Sequence, residues 1–377
     1  SGDFVRVTSL LAGGANVHAE DSTGRTALMF AASSAKVEII KVLLEYNADV
    51  ETRNCAGHTV IMFAVGAGIK IDSSKMVERA LQHLDAVKLL LDEGAPVNGA
   101  TGYGLTALML ASASGRMNMI NLLLERGASV TACSDIGLTA LVMAADKGHA
   151  EAVRRLLSAA ADPNFRYGNG KTPLMGAAAL AHTDVVTSLL EFRAQVDARS
   201  DDGHSALLYA VEKGLKDGLA CPIEGETAEK LDAAATVKAL LAADANPNMV
   251  GPKQRRPLHV ASASGSAQLV ELLVAAGAEL DAVDEDGRSA IAIAQTKQNL
   301  EVLRALGLVT TGSSQRSVDS NVAGAGNADT YRPSADRWPG AFDEAAACPM
   351  TAKLASAQAR PNSCPMAASE RWASACL

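Results

Sequence analysis

Thr139-Ala140-Leu141-Val142-Met143-Ala144-Ala145, a break at Gly148-His149, and a second run closing on Leu156-Leu157 decide how this chain folds. The first run is a short stretch of small and apolar residues. The second carries apolar residues at i, i+3, i+4 and i+7, the spacing that sets one stripe of a helix against its neighbours. A polar turn around Gly137 precedes both, where a positive φ is least costly for glycine. The same order recurs along the chain. Thr26-Ala27-Leu28-Met29-Phe30-Ala31-Ala32 repeats the first run and Gly115-Arg116 the break. Leu43-Leu44, Leu90-Leu91, Leu123-Leu124, Leu189-Leu190 and Leu240-Leu241 repeat the close.

Two registers measure the period. Gly24, Gly57, Gly104, Gly137, Gly170 and Gly203 stand 33, 47, 33, 33 and 33 residues apart; Gln254 holds the next place after 51, and Gly287 follows after 33. Ala15, Ala48, Ala95, Ala128, Ala161, Ala194, Ala245 and Ala278 give the same 33, 47, 33, 33, 33, 51 and 33. A unit of this size cannot bury its own apolar face, so successive units must stack. The prediction is an all-α solenoid of about eight to nine helix-turn-helix units with β-turn tips over residues 1–307, followed by a largely irregular tail over 308–377. The long steps imply insertions of 14 and 18 residues, at about 69–82 and 215–232, between the two helices of a unit. Both read as outer helices lengthened by a few turns. In the first, Asp72-Ser73-Ser74 supplies a cap ahead of Val77, Leu81, Leu84, Val87 and Leu91; the second turns at Cys221-Pro222 and runs on through Leu231, Ala234 and Leu241. At the start, Ser1-Gly2-Asp3 aligns with the end of a first helix, so Val5, Leu10 and Leu11 mark a second helix whose partner is expected upstream.

Gly170-Lys171-Thr172-Pro173-Leu174, Arg256-Pro257-Leu258-His259 and Gly127-Ala128-Ser129-Val130 make the unit similar to the ankyrin repeat. The resemblance implies a protein-binding module whose concave face consists of turn tips and the exposed ends of the inner helices. At those positions stand Tyr103, Leu105, Ile136 and Leu138, an apolar group where solvated residues are expected. Tyr167, Asn169, Lys171, Asp202, His204, Glu212, Lys213, Lys253 and Arg255 continue the face. His149, His182 and His259 fall on the family's own histidine positions, which implies structural roles. Met29, Met62, Met109 and Met175 stand where the family has histidine, replacing a polar link by packing.

Composition narrows the rest. The chain is 48% hydrophobic but 3% aromatic, as suits small-residue helices packed in thin layers. A net charge of −8, with no basic run longer than Arg255-Arg256, argues against nucleic acid. No apolar stretch has the length of a membrane span. Six cysteines without metal-type spacing point to a reducing, intracellular compartment, the cytoplasm in the simplest reading. No phosphate-binding glycine loop, nucleophile elbow or metalloprotease motif occurs, so the sequence calls for no catalysis and no cofactor. The leading expectation is an adaptor or scaffold. Two others are a structural subunit of a larger assembly, anchored by its tail and long helices, and a redox- or haem-responsive regulator using the Cys-Pro pairs at Cys221, Cys348 and Cys364. The tail also doubles an acidic-Arg-Trp motif, at Asp336-Arg337-Trp338 and Glu370-Arg371-Trp372, and these Trp-Arg pairs are candidate partner contacts.

Overall fold

The structure, a computed structural model, describes residues 4–66, 76–217 and 233–308; the side chains of 76–79 and 213–217 are not described. Among the described residues it is helical, with seventeen α-helices. A single helix, α1 (Phe4–Ala12), precedes eight helix pairs. Their inner members are α2 (Ala27–Ser33), α4 (Val60–Val65), α6 (Ala107–Ala113), α8 (Ala140–Asp146), α10 (Pro173–Ala179), α12 (Ala206–Asp217), α14 (Pro257–Ser264) and α16 (Ala290–Thr296). Their outer members are α3 (Val37–Glu45), α5 (Met76–Asp92), α7 (Met117–Glu125), α9 (Ala150–Ser158), α11 (Thr183–Glu191), α13 (Ala233–Ala242), α15 (Ala267–Ala275) and α17 (Leu300–Ala305). Each inner helix packs on the next inner helix, on its own outer helix, and hardly elsewhere. The pairs, numbered here as units 1 to 8, therefore form a nearest-neighbour stack.

The inner helices are too short to be stable alone. Most begin at a side chain that satisfies an orphan backbone donor: Thr26, Thr106, Thr139 and Thr172 accept from the N–H three residues on, at 3.3–3.4 Å, while Thr59 of α4 makes no such bond. Beyond the cap, a leucine drops into the core in six of the eight units: Leu28, Leu108, Leu141, Leu174, Leu207 and Leu258 are at most 1% exposed. Ala64, Ala111, Ala144, Ala177, Ala210, Ala261 and Ala294 are wholly buried between neighbouring inner helices, where a larger side chain would hold the layers apart. The outer helices contribute the first leucine of each Leu-Leu pair, from Leu43 through Leu240, at 0–1% exposure. Each such burial is worth about 1.5–3 kcal/mol against the backbone entropy of the unit.

Polar links run through the same stack. His149 Nε2 donates to the carbonyl of Ala113, and His182 Nε2 to that of Asp146, both at 3.1 Å. Arg116 reaches the Val65 carbonyl and Asn299 the Gly265 carbonyl in the same way. A Cβ on Gly115 would strike the His149 ring, and one on Gly148 the His182 ring, so the Gly-His pairs are explained: the glycine is the seat for the next unit's imidazole. His259 links its helix to a neighbouring tip, with Nδ1 accepting from Arg256 N at 3.2 Å and Nε2 donating to Ala282 O at 2.9 Å. Where methionine replaces this histidine, at Met29, Met62, Met109 and Met175, the side chain is at most 2% exposed and the link is purely one of packing.

The insertions differ from each other. In unit 2 the outer helix α5 spans 17 residues against 9 for its regular counterparts. In unit 6 it is the inner helix α12 that is longer, 12 residues against 7, while α13 spans 10. The first insertion thus matches a lengthened outer helix, whereas the stretch expected to lengthen the second, 218–232, lies outside the described residues. Asp72-Ser73-Ser74, Cys221-Pro222 and Leu231 lie outside the described residues. Buried His83 of α5, Nδ1 2.7 Å from the Ala64 carbonyl, ties the long outer helix back to the end of α4.

Candidate functional site

Six of the eight tips are built alike, and Tyr167 and Gly251 begin the other two. The first tip residue donates its N–H to the carbonyl four residues on, as in Ser134 N to Leu138 O at 2.9 Å. Its small polar side chain then accepts from the N–H of that same fourth residue. Asp21 does so from Arg25 (2.9 Å), Asn54 from His58 (2.8 Å), Thr101 from Leu105 (3.1 Å), Ser134 from Leu138 (3.0 Å), Ser200 from His204 (3.1 Å) and Asp284 from Arg288 (3.0 Å). Such side-chain closures are what asparagine, aspartate, serine and threonine offer a turn. One backbone bond ties consecutive tips, for example Asp135 N to Tyr103 O at 3.1 Å and Asp201 N to Asn169 O at 2.9 Å.

Two columns of side chains run along these tips. The apex column reads Thr23, Ala56, Tyr103, Ile136, Asn169, Asp202, Lys253 and Asp286; the second, two residues later, reads Arg25, His58, Leu105, Leu138, Lys171, His204, Arg255 and Arg288. Both become large and apolar together in units 3 and 4 and at no other tip. Tyr103 is 62% and Ile136 64% exposed, while Leu105 and Leu138 are half-buried. The expected apolar group is therefore one patch, with two anchors in solvent and two leucines partly packed beneath.

Unit 5 departs from the pattern in another way. Its first tip residue is Tyr167, which has no short side chain for the closure; Lys171 N instead donates to the Tyr167 carbonyl at 2.9 Å. The tyrosine ring turns inward. It fills a notch at Gly176, the position that holds Phe30, Phe63, Leu110, Met143, Tyr209, Val260 and Ile293 in the other units. A Cβ on Gly176 would collide with Tyr167 Oη and Asp146 Oδ1. Tyr167 Oη donates to Asp146 Oδ1 across 3.4 Å, a long bond for two oxygens. Burial pushes the Asp146 carboxyl up to about 6, with the Tyr167 hydroxyl, Lys171 and Lys147 only partly opposing it. Burial also raises the Tyr167 hydroxyl well above its ordinary value.

The neighbouring side chains of unit 6 complete this region. Tyr209 is 1% exposed, its ring stacked on His204 at 4.9 Å between centroids and 5.2 Å from the Lys171 ammonium. His204 Nε2 lies 3.4 Å from Glu212 Oε1. The structure thus gathers Tyr167, Lys171, His204 and Glu212, all expected on this face. It adds Asp146, Gly176 and Tyr209, which sequence reasoning missed; the signal was the glycine in a column of large residues. Asn169, Asp202 and Lys253 are exposed, Asp202 close enough to act on the Tyr209 hydroxyl, and Arg255 is half-buried with Nε 3.8 Å from Asp284 Oδ2. The Lys213 side chain, Arg337, Trp338, Arg371, Trp372, and the cysteines Cys221, Cys348 and Cys364 lie outside the described residues. Among the described residues no group of three or more His, Cys, Asp or Glu is placed to hold a metal, and no helix is long and apolar enough to cross a membrane.

Comparison with known proteins follows the same repeats. Residues 1–82, 76–134, 141–220 and 227–312 match a family model described as ankyrin repeats in three copies. A stretch of 112 residues is 34% identical to human Ankyrin repeat domain-containing protein 63 and 33% identical to the mouse protein of that name. The alignment covers 30% of this chain and 26% of each relative, so it spans about a quarter of their length.

Proposed function

Because the chain belongs to the ankyrin-repeat family, whose repeats are protein-interaction modules, we propose that it is a non-catalytic adaptor or scaffold that captures a protein partner on its inner-helix face, with Tyr103 and Ile136 as anchors. One observation carries the reading: two separate columns turn apolar at the same two consecutive tips, and the apex residues of both are more than three-fifths exposed. Scattered exposed apolar residues are ordinary, but paired ones on adjoining, hydrogen-bonded tips make a contiguous patch. Backbone hydrogen bonds between the tips fix where the two anchors stand, so little loop ordering opposes binding. An aromatic ring beside a β-branched side chain is also the composition of an interface centre rather than of its rim.

The test replaces Tyr103, Leu105, Ile136 and Leu138 by serine together. Partners recovered by the unaltered chain and identified by mass spectrometry should be lost from the variant, with circular dichroism and the unfolding midpoint nearly unchanged. Retained partners at unchanged stability would refute the patch as the contact. A large loss of stability would show instead that the four side chains serve the core.

A further inference from the structure

The apolar tips of units 3 and 4 are one end of a longer surface. The inner-helix column that holds Gly176 in unit 5 reads Phe30, Phe63, Leu110 and Met143 in units 1 to 4. Leu110 is 8% exposed, and Phe63 and Met143 are half-buried. Phe30, at 45%, is the one large apolar side chain of the described inner helices left open to solvent. It faces an open space rather than bulk water alone. Phe30 and Phe63, on the packed neighbours α2 and α4, line a cleft of about 90 Å3 that Arg25, Met29 and Ser33 complete. We infer that this cleft receives a leucine, isoleucine or valine side chain of the same partner segment whose apolar residues rest on Tyr103 and Ile136.

Continuity joins the cleft to the patch. The second tip column leans on the inner-helix column: the Arg25 guanidinium lies 4.5 Å over the Phe30 ring, and the His58 and Phe63 rings are 6.0 Å apart. In units 3 and 4 the same two columns hold Leu105 with Leu110 and Leu138 with Met143. No net charge interrupts this strip. Arg25 is paired with Asp21 at 2.9 Å, and burial holds His58 below the usual imidazole range, uncharged at neutral pH. Unit 5 puts Lys171 and Gly176 in these columns and ends the strip, so the segment leaves the patch toward unit 1. The size of the cleft selects the side chain. An apolar cavity of roughly 150 Å3 takes a benzene ring, so about 90 Å3 suits a branched aliphatic group rather than an aromatic one. The walls stand ready, because Arg25 is fixed by Asp21 and itself covers Phe30, and little ordering opposes entry. Cleft and patch are two units apart, roughly 18 Å at the usual spacing of packed helices, or about five to six residues of extended chain.

This inference rests on the proposed partner-binding reading, and a displayed library of random linear peptides, selected on the full chain, separates the two. Selected peptides should carry, besides the apolar residues that rest on the tips, a leucine, isoleucine or valine at a fixed offset from them. Ser33→Leu puts a side chain into the cleft and leaves the buried residues of α2 in place, so the unfolding midpoint should hardly move. It should weaken a selected peptide about tenfold or more, as expected when an aliphatic side chain loses its burial. Changing that peptide residue to alanine should weaken binding to the unaltered chain by a like factor, with no further loss on Ser33→Leu. Changing it to phenylalanine should weaken binding as well. Phe30→Ala removes one exposed wall and should act in the same direction, which keeps the test decisive if Ser33→Leu is unstable. Peptides without an aliphatic residue at a fixed offset, or an affinity that both folded variants leave unchanged, would overturn the cleft and leave the apolar patch standing. Peptides recovered equally by the four-serine variant would overturn the patch and, with it, the shared segment. A selection without binders would overturn a linear segment as the occupant.

Discussion

Units 3 and 4 turn apolar side chains outward from regular tips, whereas unit 5 turns an aromatic side chain inward from an altered one. The first change is free of structural consequence: Thr101 and Ser134 still close their turns, and Tyr103 and Ile136 leave the core untouched. The second is coupled across three elements, because Tyr167 fits only where Gly176 makes room and only against Asp146. Residues at the apex of a tip vary independently, while residues that lean on the next inner helix vary together.

The harshest way to probe this contrast is to cut between the regions. Leu141→Asp would bury a charge in α8, where Leu141 is 1% exposed, and should cost about 4 kcal/mol or more. Denaturant unfolding should split into two transitions, the units on either side losing their common neighbour. A single transition at an unchanged midpoint would contradict the nearest-neighbour architecture.

Making unit 5 regular at one position only should be the next largest effect. Gly176→Leu forces Tyr167 and Asp146 from the notch and is expected to cost about 2 kcal/mol, in the range of overpacked cores. Adding Tyr167→Ser restores the ordinary tip chemistry and should recover most of that loss. Additive costs in the double variant would show that the two positions are not coupled.

Asp146 gives a smaller effect with a definite pH signature. Its folded value of about 6 lies above the ordinary carboxylate value of 3.8. The native state therefore binds more protons than the unfolded chain between about pH 4 and 6, and stability declines as pH rises through that window. Asp146→Asn should raise stability at pH 7 by about 1–2 kcal/mol, discounted for the fraction of the side chain that water still reaches, and change nothing below pH 4. Equal effects at both pH values would show that the carboxyl is not held uncharged by burial. Tyr103→Ser with Ile136→Ser is the mildest change, within about 0.5 kcal/mol by thermal denaturation.

Much of this was legible in the sequence. The glycine and alanine registers located every unit, because stacking imposes a common helix-pair frame even where insertions lengthen a unit, and the capping threonines and core leucines recur in that frame. The apolar tips were legible too, as Tyr103 and Ile136 break a polar column that the alignment of units lays open. The Asp146–Tyr167–Gly176 notch was not, because its members belong to two units and three different columns, and only the turned-in ring brings them together. The long α12 was missed for a related reason: Glu212, Lys213 and Leu215 extend a helical pattern as readily as they begin a loop, and nothing in that stretch says where the inner helix stops.

The seating of each imidazole on the glycine of the preceding unit has a consequence for how such a chain can change over time. A stretch of one period duplicated or deleted between the two Gly-His seats joins one seat to its equivalent, so a unit can be gained or lost there with the junction intact. Units 4 and 5 limit this. A crossover between them would strand Tyr167 and Gly176 without Asp146, or the reverse, so the pair is expected to travel through recombination as a single block.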